Sequence, residues 1–192
     1  MAQKFLEMDY RLLSEDYFRL IQSILTQYLS FQFGLPVIEK DVVDKACYVG
    51  SFDGETIAIR SDLGPQHATF LIAHLFGHTV QSCGPNKEAY SLIEMSPSFT
   101  NVKNLSEHAF ERLRYYENEA AEFAIMLLED VFGKILNQWY SDWAVADWEY
   151  FTGITSVNKH SRAIKVEYGK SRIRAKAVPA IDLHKMQPMY AY

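Results

Sequence analysis

Between Gln66 and Gln81 the chain reads QHATFLIAHLFGHTVQ, with two histidines four residues apart. On a helix of about 3.6 residues per turn, His74 and His78 share one face and both imidazoles reach a single point, as in a metal clip. The usual form is H-E-x-x-H, in which both His bind zinc and the Glu polarises the metal-bound water as general base. Here the Glu position is Leu75, so the stretch predicts a metal site without the expected base. Either His alone could equally be a hydrogen-bonded core residue. A catalytic zinc needs a third protein ligand and keeps a further position open for water.

The third ligand is found on a second helix. After a long polar connection, Asn104 and Glu107 suggest a capping-box start to a helix that stops near Gly133. At roughly 100° per residue, Leu113, Glu117, Ala120, Ala121, Ala124, Leu128 and Val131 share one stripe. A carboxylate on an inward face is costly unless it is paired or bound to a cation. The alanines around Glu117, and Gly77 beside the His74/His78 face, would let the two helices approach closely. A His74/His78/Glu117 metal site is therefore expected. The rival is a buried Glu117 hydrogen-bonded to Tyr, Arg or a His without metal. Glu119, Glu122 and Glu129 fall on other sides with Glu111 and Arg112 and read as a solvated face. His67 lies on the His74 face but about 10 Å away along the axis, too far for a direct ligand.

The remaining chain supplies a frame for these two helices. Ser14 caps an amphipathic helix to Phe33, ended by FGLP, and Ile38 to Cys47 reads as a short second helix. Tyr48 to Asp62 reads as a hairpin about Asp53-Gly54, leading through DLGPQ into the His helix. Beyond Gly133, KILNQWYSDWAVADWEYF, with Trp139, Trp143 and Trp148, reads as an aromatic helix packed on the domain. Residues 159–176 are basic, and RAIKVEY and SRIRAKAV could form a hairpin with basic side chains outward. Such a patch protects a sheet edge or contacts nucleic acid or an acidic partner, and the edge reading is preferred.

The order helix, FGLPV, short strands, TFLIAHLFGHTVQ and YENEAAEFAIMLL resembles the ImmA/IrrE family of bacterial and phage-related metallopeptidases over residues 10–130. That family's pattern is an AHELGH-type helix followed by E-x-E-A-N-x-F-A-x-x-LL. The resemblance implies an α+β fold, a mostly helical zincin-like domain with a small antiparallel sheet beside the His helix. It implies a metallopeptidase-like domain over 1–133; past Gly133 the likeness fades, and 134–192 reads from its own residues as a C-terminal aromatic helix and a basic, strand-rich extension packed on the same domain. It further implies a zinc (or other divalent transition metal) held by His74, His78 and a second-helix carboxylate, for which the helical stripe selects Glu117 over Glu119. A protein partner in repressor, stress or mobile-element regulation follows from the same likeness. Leu75 replaces the general base and Ala121 replaces the Asn one turn after Glu117, where a partner would orient a His ligand. Hydrolysis is accordingly expected to be impaired or absent.

Three functions remain open from the sequence: a metallopeptidase whose base comes from elsewhere, a catalytically silent protein-interaction module with a structural metal, and a metal-free globular domain. With 192 residues, 48% of them apolar, and a net charge of -5, the chain is long enough for one substantial core and is not a nucleic-acid binder by bulk charge. Two cysteines without a C-x-x-C pair, an acidic N-terminus and no apolar run of membrane-spanning length lead to the expectation of a cytoplasmic protein.

Overall fold

The computed structural model describes residues 10–41, 49–83, 105–153, 166, 169, 172–179 and 190–191. Helix α1 (Glu15–Phe33) starts where the Ser14 hydroxyl accepts the Tyr17 N–H and ends at Gly34, whose φ of 63° admits the left-handed cap. Its Phe18, Ile21, Leu25 and Leu29 recur at helical spacing and are buried.

Strand β1 (Val37–Lys40) follows at once, where a short helix was expected. The local pattern is overridden by pairing with a distant segment: β1 runs parallel to β3 (Ile57–Arg60), with Val37 opposite Ile57 and Lys40 opposite Arg60. The rest of the expected helix lies outside the described residues. The hairpin forms as read: β2 (Gly50–Phe52) is antiparallel to β3, and Asp53 Oδ1 accepts the Glu55 and Thr56 N–H groups in the turn. A two-residue β4 (Tyr190–Ala191) borders β2, giving the order β1-β3-β2-β4. The sheet is thus mixed, not purely antiparallel as expected, because β1 reaches its partner by a crossover.

Helix α2 (Pro65–Cys83) carries the two histidines and is buried on nearly every side. It packs on β2 and β3, on α1, on α3 (Glu107–Phe132) and on α4 (Asn137–Gly153). Its sequence permits this because every residue from Ala68 to Val80 is apolar, glycine, threonine or histidine. The cap of α3 is Ser106, accepting the Ala109 N–H, and not Asn104. Helix α4 is the aromatic helix, and its Trp139 and Tyr140 are fully buried in the same cluster as Phe70, Phe76 and Leu128.

The chain beyond α4 is fastened across α4 and α3. Asp142 is buried and accepts hydrogen bonds from Tyr10, Gln138 and the Gly169 N–H, while the Ser141 hydroxyl accepts the Ile173 N–H. The Lys176 N–H donates to the Glu122 carbonyl. Residues 172–179 form no strand, so the expected basic hairpin is absent from them. Its other arm lies largely outside the described residues. The α+β architecture is therefore mostly helical, with the His helix as its central element. Among the described residues no helix is long and apolar enough to cross a membrane.

Candidate metal centre

Close approach of α2 and α3 creates the site. A Cβ built on Gly77 would lie 2.1 Å from the Ala120 carbonyl oxygen, so only glycine lets the α3 backbone come this near. One residue later stands His78 and three residues earlier His74, while Glu117 lies one turn before Ala120. The three side chains meet as the helical stripe predicted. The Nε2 atoms of His74 and His78 are 3.0 Å apart, and Glu117 Oε2 lies 3.2 Å from the first and 3.5 Å from the second.

Both imidazoles are held from behind. Phe70 stacks on His74 with centroids 5.5 Å apart, and Tyr116 stacks on His78 at 4.8 Å. His74 Nδ1 lies 3.3 Å from the Tyr140 hydroxyl, and His78 Nδ1 2.9 Å from Gln81 Oε1. His74 and His78 are 3% and 1% exposed, and the Glu117 side chain 13%, so the site meets solvent mainly at its carboxylate.

Burial pushes the Glu117 carboxyl up, but the charge and hydrogen bonds of His78 and His74 outweigh it and hold the group at about 2. A carboxylate depressed in the folded state contributes stability that is complete above its unfolded pKa and is lost as pH falls from there through the folded pKa. Glu117 therefore stays an anionic donor throughout the neutral and mildly acidic range.

The donor set suits a cation. Bonds of about 2.0–2.2 Å to zinc put neighbouring tetrahedral donors roughly 3.3–3.6 Å apart. The observed edges of 3.0, 3.2 and 3.5 Å need only a few tenths of an ångström of opening. Among the described residues, His74, His78 and Glu117 are the group of three whose geometry could hold a metal ion.

Other expectations are corrected. Glu119 is 4% exposed and not on a solvated face, for it pairs with Lys176 and accepts from Gln81 Nε2 at 3.0 Å. Leu75 is fully buried, and a Cβ built on Gly50 of β2 would lie 2.9 Å from its Cδ1. The general-base position is thus filled by a core side chain pressed on the sheet. The sequence reading missed Gln81, Tyr140, Glu119 and Lys176. Gln81 alone left a local signal, lying three residues after His78 on the same helix.

The ring of His67 lies 5.5 Å from that of Trp143. Burial, aided by the Arg60 charge and opposed by Asp62, pulls its pKa down to about 4. The unfolded chain then binds a proton that the folded chain refuses, so stability declines as pH falls from about 6.5 and levels off near the folded pKa. We expect His67→Phe to abolish this loss, at most about 2 kcal/mol by about pH 5. Urea unfolding of both proteins at neutral and acid pH checks it, and identical pH dependence would refute it.

In comparison with known proteins, the chain matches no family model, no curated protein and no solved structure.

Proposed function

We propose that this chain is a metal-binding, metallopeptidase-like protein of the ImmA/IrrE kind, in which His74, His78 and Glu117 hold one divalent transition metal. The zincin-like relationship is supported by the His helix lying between sheet and α3, together with the motifs quoted above. The observation that carries the reading is the buried triangle of two imidazole nitrogens and one carboxylate oxygen, with edges of 3.0–3.5 Å. Imidazole and carboxylate ligands in a site of this kind suit zinc best.

A metal bound there would supply Lewis acidity. The chain's own residues do little to turn that into efficient hydrolysis. Leu75 presents no proton acceptor, and the nearby buried carboxylate of Glu119 is engaged by Gln81 and Lys176. Loss of a general base typically removes about 10²–10⁴-fold of rate. The function we favour is therefore recognition of a protein or peptide partner in a cytoplasmic regulatory setting, with hydrolysis impaired or absent.

The test is metal content together with proteolysis. Purified protein is expected to carry about one zinc per chain, and His74→Ala, His78→Ala and Glu117→Ala to lose it. Wild-type protein is expected to cleave casein weakly or not at all. Failure of the wild type to take up zinc, or full retention by both His variants, would overturn the ligand assignment. Robust chelator-sensitive cleavage would overturn the loss of hydrolysis.

A further inference from the structure

The two imidazoles differ in their hydrogen-bond partners. Gln81 Nε2 faces two groups that only accept, the Tyr116 carbonyl at 2.8 Å and a Glu119 carboxylate oxygen at 3.0 Å. The amide must present its NH2 group there, since the reversed amide would set oxygen against oxygen. Lys176 fixes the other Glu119 oxygen and keeps that carboxylate in place. Gln81 Oε1 is left as a pure acceptor 2.9 Å from His78 Nδ1, so that nitrogen carries the proton. The bare nitrogen of His78 is consequently Nε2, the one facing Glu117 and His74.

His74 obeys a different constraint. Its Nε2 lies 3.0 Å from the bare His78 Nε2 and 3.2 Å from Glu117 Oε2. Two acceptors converging on one nitrogen demand a proton on it. In the neutral ring its Nδ1 then accepts from the Tyr140 hydroxyl 3.3 Å away. Tyr140 is free to reverse this bond because a phenol both donates and accepts.

We propose that the two histidines are prepared differently: Gln81, braced by Glu119 and Lys176, presets His78 for ligation, whereas His74 must move its proton from Nε2 to Nδ1, where Tyr140 is the positioning residue that receives it. The His78 half concerns the metal-free protein alone, and the Tyr140 half rests on the metal reading above. Atoms balance without a co-reactant: the proton leaves Nε2, reappears on Nδ1, and the Tyr140 hydroxyl turns from donor to acceptor.

Nitrogen NMR of histidine-labelled protein tests this under mildly alkaline conditions, where the shifts of Nδ1 and Nε2 show which one is protonated. Metal-free wild type is expected to show His78 protonated on Nδ1 and His74 on Nε2. Added zinc should switch His74 to Nδ1–H and leave the His78 tautomer unchanged. Gln81→Leu should remove the His78 preference and weaken zinc binding about 10–100-fold, and Tyr140→Phe should weaken zinc binding while leaving the His78 tautomer intact.

His78 protonated on Nε2 in metal-free wild type, or unchanged in folded Gln81→Leu, would overturn the Gln81 role. His74 already on Nδ1–H before zinc is added would overturn the Tyr140 role. A chain that takes up no zinc overturns the metal reading and the Tyr140 role with it, while the wild-type His78 tautomer still decides the Gln81 role.

Discussion

Gly77→Ala is expected to destabilise the protein by about 3 kcal/mol or more and to abolish zinc binding. An added Cβ would lie 2.1, 2.7 and 2.9 Å from the carbonyl oxygen, carbonyl carbon and Cα of Ala120. All three are backbone atoms of a helix, which cannot rotate aside as a side chain can. Relief requires α2 and α3 to part by more than an ångström, and alanine's helix-propensity gain of about 1 kcal/mol is too small to compensate. The same separation carries His74 and His78 away from Glu117. Gly64→Ala is the control, since nothing lies within 4 Å of a Cβ there. Urea unfolding and zinc titration of both variants provide the check. A Gly77→Ala protein as stable as wild type, with zinc affinity intact, would show that the helix contact does not set the site.

Leu75→Glu is expected to destabilise the metal-free protein by about 3–5 kcal/mol and not to confer efficient proteolysis. From the motif alone, a carboxylate at this position would stand beside a metal-bound water and restore the missing base. The fold places Leu75 at 0% exposure in the main core, over Gly50 of β2. A carboxylate there displaces packed hydrocarbon and is removed from water without a partner supplied by the sheet. Protonating it would relieve the charge penalty but also remove the base. Thermal or urea unfolding with and without zinc measures the first effect, and casein cleavage the second. A stable, metal-loaded variant that gains strong chelator-sensitive cleavage would contradict this prediction.

The site was legible in the sequence to the extent that it is written in helical period. His74, His78 and Glu117 converge because one turn of helix separates the histidines and because the apolar stripe of α3 places Glu117, and not Glu119, toward them. Gly77 and Ala120 announced the close helix contact for the same reason. What was hidden depends on segments far apart in the chain. Glu119 looked solvated on a lone helix, and it is buried because Lys176, 57 residues away, pairs with it and covers Phe123. Tyr140 read as core, which it is, but its hydroxyl meets His74 across 66 residues. Strand β1 has no local strand signal because its parallel partner arrives only at Ile57. Turn chemistry, by contrast, is local: Asp53-Gly54 and the Ser14 cap were both recognisable.

Two imidazoles and one carboxylate are proposed to hold a single metal between α2 and α3. X-ray absorption at the zinc edge of the purified, zinc-loaded protein tests it most directly. A low-coordinate shell of nitrogen and oxygen at about 2.0–2.1 Å is expected, with outer-shell scattering from two imidazoles, and His78→Ala is expected to hold too little zinc to give this spectrum. A sulfur shell at about 2.3 Å, or imidazole scattering unchanged in that variant, would contradict it.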